Sequence, residues 1–341
     1  GVAETLVGNS RDMTAGSPKE VVRRVADGIL EATVIGSFTE IGPMVRSRLF
    51  GWDPPDRLDG RVVVITGGTS GIGRAMAEGA FERGATVELI GRNAERGYGI
   101  VAAMTAGLAA GQPAPRFRRC DIGDLDDVGA LAADLMADHP QIDVLAHLAG
   151  AIVAERTESA QGIEATWASM VVGPFLLTEL LRPRLGRAAP GRVIWMTSGG
   201  MYLRSHSDDE QWLDRPYNGT FAYAEAKRAQ VDLVAEFARQ WPADEVVSHA
   251  THPGWVDTPG VTEQLAAFSK VMGPILRTPA HGADTALWLA AAPEALDHSG
   301  ELWLDRQIRS DVRVPGTHTS DLDRARLWAK VAQQAHSGGA A

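Results

Sequence analysis

Tyr223 and Lys227, four apart in Tyr223-Ala224-Glu225-Ala226-Lys227, are the residues best suited by type and spacing to move a proton. On a helix this spacing stacks a phenol and an ammonium on one face, a turn apart. A free tyrosine titrates at about 10, too high for efficient acid or base work near neutrality, and a lysine cation close by favours the phenolate and lowers that value. The same pattern also describes an ordinary surface helix, so its meaning depends on what accompanies it. Ser198, delivered at the end of the apolar run Arg192 to Thr197, adds a hydroxyl that could hold a reacting oxygen.

These side chains need elements to bring them together, and residues 61 to 74 show which. Val62 to Ile65 are β-branched and uninterrupted, as expected of a parallel strand covered on both faces. Gly67, Gly71 and Gly73 follow, and helical periodicity runs from Ala75 to Arg83. Without a Cβ the backbone can turn sharply and approach a pyrophosphate, while the amides at the helix start face an anion. Strand, glycine loop and helix in that order point to nucleotide binding rather than to a plain turn.

The spacing Thr66-Gly67-x-x-x-Gly71-x-Gly73, the serine closing the fifth strand and Tyr223-x-x-x-Lys227 on the next helix together resemble the short-chain dehydrogenase/reductase family, over residues 60 to about 310. The resemblance implies an α/β fold with a single Rossmann-like, doubly wound, seven-stranded parallel sheet, here with an N-terminal helical arm. It also implies hydride transfer between a nicotinamide cofactor and a carbonyl or secondary alcohol. Thr66, Gly67, Thr69, Ser70, Gly71, Ile72 and Gly73 would form the dinucleotide loop, and Asp121 and Ile122 would lie beside the adenine. Ala149 and Gly150 would pass the ribose, and Pro253, Gly254, Val256 and Thr258 would flank the nicotinamide, with Thr258 on its carboxamide. Ser198 would hold the substrate oxygen and Tyr223 exchange its proton. Lys227 would grip the nicotinamide ribose and bias Tyr223 toward ionisation.

The end of the second strand sets the cofactor expectation. An NAD-type site places an acid there, whereas Thr86 to Ile90 is followed by Gly91 and Arg92, and a guanidinium can pair with a 2′-phosphate. NADP(H) is therefore expected over NAD(H), with a solvated strand-end arginine as the plain alternative. Two positions depart from the family. His147-Leu148 stands where Asn-Asn is usual and is read as a hydrogen-bonded structural histidine rather than a new base. Met170 replaces an asparagine that supports a water relay to the lysine, and a thioether cannot hold that water. These departures motivate a rival reading, an NADP(H)-binding sensor or scaffold with little turnover.

The chain has 341 residues, 45% of them apolar, and a net charge of -10, which opposes nucleic acid and anionic membrane alike. The lone Cys120 excludes an intrachain disulfide, and no apolar run of about 18 residues is present, so a cytoplasmic protein is expected. Nine histidines show no His-Glu-x-x-His spacing, and no catalytic metal is expected. Residues 1 to 59 read as a disordered segment (1 to 16) followed by the helical arm, 60 to 310 as the NADP-binding domain and 311 to 341 as a helical tail. Ser17-Pro18-Lys19-Glu20 starts a helix whose Val21, Val22, Val25, Ile29 and Leu30 share a face. That face is expected to dock on the domain, a membrane surface touched through residues 18 to 50 being the weaker option. Residues 199 to 222 and a lid at 261 to 279 should wall the substrate space, with Met201, Tyr202, Trp212, Trp255 and Phe268 suiting a bulky apolar ketone. A homodimer through helices at 165 to 185 and 223 to 240 is usual in the family and stays an option here, the added arm being the feature that could block or replace it.

Overall fold

The computed structural model describes residues 17–187, 189–257, 273–314 and 317–337. The segment expected to be disordered, 1–16, and most of the expected lid lie outside the described residues, as do Thr258 and Phe268. Strands β1 (Val62–Thr66), β2 (Thr86–Gly91), β3 (Arg116–Arg119), β4 (Val144–His147), β5 (Gly191–Met196), β6 (Val246–Thr251) and β7 (Glu301–Leu304) form one parallel sheet in the order β3-β2-β1-β4-β5-β6-β7. β1 is apolar from Val62 to Ile65 because both faces are covered. Val63 and Ile65 point into one core, with α4 (Gly71–Glu82) and α10 (Pro279–Ala291), and Val64 into the other. On that second face lie α6 (Leu125–Asp138), α8 (Gly173–Leu181) and α9 (Gly219–Gln240). α5 (Ala94–Ala106) packs on β2 and β3, and the short α7 (Ala165–Trp167) enters α8 through a π-helical turn, Ala168–Val172.

The sheet has an eighth strand that the sequence reading did not include, β8 (Gln307–Arg309), antiparallel to β7. Its hairpin turns on Asp305 and Arg306, both with positive φ, 53° and 56°. Such turns usually carry Asn-Gly or Asp-Gly, so Asp-Arg gave no signal. The strained backbone is held by its side chains. Asp305 bonds two buried arginines, while Arg306 pairs with Asp284 (2.7 Å) and the Asp53 carbonyl (2.7 Å) and covers the Trp52 ring at 4.7 Å.

The arm comprises α1 (Pro18–Ala32), α2 (Val34–Phe38) and α3 (Ile41–Phe50). Ser17 caps α1 as expected, accepting from the Glu20 amide at 3.4 Å. Its orientation is the reverse of the expectation: Val21, Val22, Val25 and Ile29 are exposed, and only Leu30 is partly covered. The face turned inward is charged. Asp27 accepts from Arg46 Nε (2.7 Å) and from both Arg309 Nη atoms (2.7 and 2.9 Å), and Glu31 pairs with Arg46 and Arg313. Burial would raise the Asp27 carboxyl, but the bonds from Arg309 and Arg46 outweigh it and hold the group below its usual range. Ion pairing, not apolar packing, decides which side of α1 meets the domain.

The arm is anchored by Arg46 and Arg277, both fully buried, which share the Asp305 carboxylate at 2.6 to 2.9 Å. Arg277 also donates to the carbonyls of Ser37 (2.6 Å), Phe38 (3.1 Å) and Thr39 (3.2 Å). At the other end of the chain α11 (Asp321–Ser337) lies on α8 and α9, with Trp328 edge-on to Phe175 and Phe237 at 4.8 and 4.7 Å. This helix, rather than the arm, covers the surface through which the family's dimer would form.

Replacing Arg277 with methionine leaves three arm carbonyls and half of a buried carboxylate without a donor. The substitution should lower unfolding free energy by about 3–5 kcal/mol in urea titrations followed by circular dichroism. Arg57→Met, which breaks an exposed pair with Asp59, should leave the midpoint unchanged.

Candidate active site at the meeting of two cavities

The strand order reverses between β1 and β4, which opens a crevice at the carboxyl ends of those strands. A cleft of about 550 Å³ lies there. The loop into α4 comes close to the neighbouring backbone: a Cβ on Gly67 would sit 2.7 Å from the Ala149 amide, and one on Gly73 2.2 Å from the Gly67 carbonyl oxygen. Ser70 is the N-cap of α4, yet its hydroxyl caps no amide, and it lines the cleft with the helix start behind it. The cradle that side chains would fill, the uncommitted hydroxyl and the helix terminus fit a dinucleotide phosphate. Of the residues expected at the cofactor, Thr66, Gly67, Thr69, Ser70, Arg92, Asp121, Ile122, Ala149 and Gly150 line this cleft. Gly71, Ile72 and Gly73 lie under it, with Ile72 packed on the core.

Arg92 stands at the rim, its side chain 73% exposed and in a long ion pair with Asp121 at 3.8 Å. Arg96, one turn into α5, lines the same cleft and was not anticipated; an Arg-x-x-x-Arg spacing was its only signal. Asp121 does not cap α6, a role taken by Asp124, and instead accepts from the Gly123 amide at 3.0 Å. Cys120 is buried, and burial together with Asp127, Asp121 and Asp124 pushes its thiol up to about 12, so it is no nucleophile near neutrality.

Ser198, at the end of β5, hydrogen-bonds the Tyr223 side chain. Lys227, one turn on along α9, has its Nζ 5.5 Å from the Tyr223 ring centroid. The expected lowering of Tyr223 is not what the fold produces: burial raises the phenol above its ordinary value, with Ser198 acting in the opposite sense. Lys227 itself donates to the Met196 carbonyl (2.6 Å) and to Gln230 Oε1 (3.1 Å). Burial brings the Lys227 amine itself down to about 7. Gln230 was not assigned a role from sequence. Its Nε2 donates to the Met170 carbonyl at 2.7 Å, within the π-helical turn, so one side chain joins that carbonyl to the lysine directly. Met170, at the position of the family's usual asparagine, is thus linked to Lys227 by the amide three residues beyond it. His147 is a structural residue as expected. Thr178 Oγ1 donates to the Pro174 carbonyl and therefore accepts from His147 Nε2 at 2.8 Å, and burial lowers the imidazole to about 3.

A second, mainly apolar cavity of about 480 Å³ adjoins the first, and Gly150 and Ala151 line both. Ser198, Tyr223, Gly254, Val256, Tyr202 and Trp255 face it. Met201 does not: it is fully buried, with its sulfur accepting from Thr197 Oγ1. Trp212 is also turned away, under the Arg215 guanidinium at 3.6 Å. Pro253 is buried behind the turn. Gly254 (φ 77°) is needed there because its Cβ would lie 2.2 Å from Arg277 Nε. The remaining wall comes from segments read as appendages, Val34 and Phe38 of the arm and Arg313 and Val314 beyond β8.

The sequence profile described as short chain dehydrogenase matches residues 61–267. The chain belongs to the short-chain dehydrogenase/reductase family. It is 37% identical to dehydrogenase/reductase SDR family member 12 of Bos taurus, over 78% of this chain and 84% of that protein. It is 40% identical to a Streptomyces sp. (strain C5) protein proposed to be a daunorubicin C-13 ketoreductase, over 81% and 92%. A solved structure from Mycobacterium paratuberculosis, 26% identical, superposes with a TM-score of 0.66 over 82% of this chain and 95% of that one. The family is one of oxidoreductases, and among the described residues no helix is long and apolar enough to cross a membrane.

Between about pH 7 and its ordinary 10.5, folded Lys227 binds fewer protons than the unfolded chain, so this group makes the fold more stable as pH rises through that window. An NMR titration of the Lys227 side chain should give a midpoint near 7; a midpoint near 10 would show that burial does not control the amine.

Proposed function

We propose that this chain transfers hydride between NADP(H) and the carbonyl or secondary alcohol of a bulky apolar molecule. The observation that carries the reading is the Ser198–Tyr223 pair lining the apolar cavity that adjoins the dinucleotide cleft at Gly150 and Ala151. When bound, the nicotinamide supplies or takes the hydride. Gly67, Thr69, Ser70 and the α4 terminus would hold the pyrophosphate, Asp121 and Ile122 the adenine side, and Arg92 and Arg96 the 2′-phosphate. Ala149, Gly150, Tyr223 and Lys227 would face the nicotinamide ribose, and Pro253, Gly254, Val256 and Thr258 the ring.

Ser198 holds the substrate oxygen and Tyr223 gives or takes its proton at the phenol. Burial, which keeps that proton on Tyr223, suits donation to a carbonyl and so the reductive direction. Lys227 is fixed by Met196 and Gln230 beneath the ribose position, its lowered pKa letting it change charge near neutrality. The cavity walls, Phe38, Trp255 and Phe221 among them, favour a flat or bulky apolar substrate, and the ketoreductase name of one relative agrees with a polycyclic ketone. A cytoplasmic homodimer built on α8 and α9 would have to displace α11, so we favour a monomer.

Tyr223→Phe should abolish NADPH oxidation over a panel of lipophilic ketones while NADPH affinity, read by fluorescence, stays within about twofold. Unchanged turnover would remove Tyr223 from the chemistry, and tight NADPH binding without oxidation in the native chain would favour a sensor. Arg92→Glu combined with Arg96→Glu should raise KM for NADPH by at least about tenfold and leave NADH nearly unaffected, since a loss of paired charge is felt only by the 2′-phosphate. Equal effects on both cofactors would reject the assignment.

A further inference from the structure

The outward face of α1 is apolar and continues to the mouth of the substrate cavity. Val21, Val22, Val25 and Ile29 are 54%, 64%, 57% and 67% exposed, and Val34 and Ile35 carry the apolar surface onward at 44% and 55%. Val34 is itself part of the cavity wall. Stray exposed apolar residues are ordinary, but a stripe along one helix that runs into an apolar pocket is not.

The charges around this stripe are sorted by sign. Lys19, Arg23, Arg24 and Arg48 are exposed, whereas Asp27 and Glu31 are turned inward onto Arg46, Arg309 and Arg313, and Glu40 is bonded to His281. That leaves Glu20, paired with Arg24 at 3.6 Å, as the exposed acid of α1 to α3, with Asp53, Asp56 and Asp59 exposed farther on in the connection to β1. A chain of net charge -10 thus presents a cationic, apolar face along α1. An apolar stripe flanked by lysine and arginine, on a helix whose other side is anchored, has the chemistry of a helix lying in the plane of a lipid interface.

We propose that this face rests on an anionic lipid bilayer, with α1 parallel to the surface. Resting on the functional reading above, the apolar substrate then enters past Val34 from the lipid phase. The expected docking of this stripe on the domain is excluded by its exposure, and electrostatic attraction is local to the arm although the molecule as a whole is acidic.

Flotation of the full chain with vesicles of phosphatidylcholine containing phosphatidylglycerol tests the surface, without substrate or turnover, so a failed oxidoreductase assignment does not affect it. The chain should float with these vesicles, less with phosphatidylcholine alone and less at high salt. Val22→Glu with Ile29→Glu, and separately Lys19→Glu with Arg23→Glu, should each reduce the floated fraction by at least about tenfold with the melting temperature unchanged. A native chain that stays unfloated with both vesicle types overturns the proposal, as do variants that float like the native chain. A native dimer that Val22→Glu with Ile29→Glu splits, without flotation, assigns the face to a second copy and equally overturns it.

Discussion

The active region depends on one carboxylate. Asp305 sits on a two-residue turn in left-handed backbone and is shared by Arg46 and Arg277, so three buried charged side chains tie the arm, the Pro-Gly turn and the last hairpin together. A buried charge cluster is weak evidence for net stability, because desolvation offsets much of the attraction, but it is unforgiving of a missing member. Its effect here is positional. Arg277 holds the carbonyls of Ser37, Phe38 and Thr39 and lies against Gly254, so the same guanidinium sets Phe38 in the cavity wall and the turn that would flank the nicotinamide.

The parallel sheet and the dinucleotide cleft were legible because they follow from local patterns. The β-branched run at 62–65 and the spaced glycines each declare themselves within a few residues. The residues proposed for the chemistry were singled out by type and spacing, although the electrostatics around them were not legible. Whether Lys227 acts on Tyr223 as a cation depends on how far burial and the Met196 carbonyl engage the amine, which no spacing reveals. The arm was misread for a related reason. Amphipathicity says that a helix has two faces, and the inward one is chosen here by Asp27 and Glu31 through arginines at 46, 309 and 313, two of them nearly three hundred residues away in sequence.

The two departures from the family pattern resolve differently. His147 is absorbed into the core, bonded to Thr178 and packed on Trp195 at 4.5 Å. Met170 is compensated: the π-helical turn presents its carbonyl, and Gln230 spans from there to Lys227. An amide fixes the amine as firmly as a water would, but it does not pass protons along a chain of waters.

The joining of Arg46 to Asp305 spans 259 residues of sequence. As the chain leaves the ribosome the arm is made first, and its acids and Arg46 then have neither Arg277 nor Asp305 nor Arg309 to meet until the sheet is complete. Contacts of such high sequence separation form late, because the entropy of closing the loop must be overcome before the contact exists. The arm's side of the pocket therefore takes shape only after the sheet is complete, whereas the glycine loop meets its partners within β1, β2 and β4.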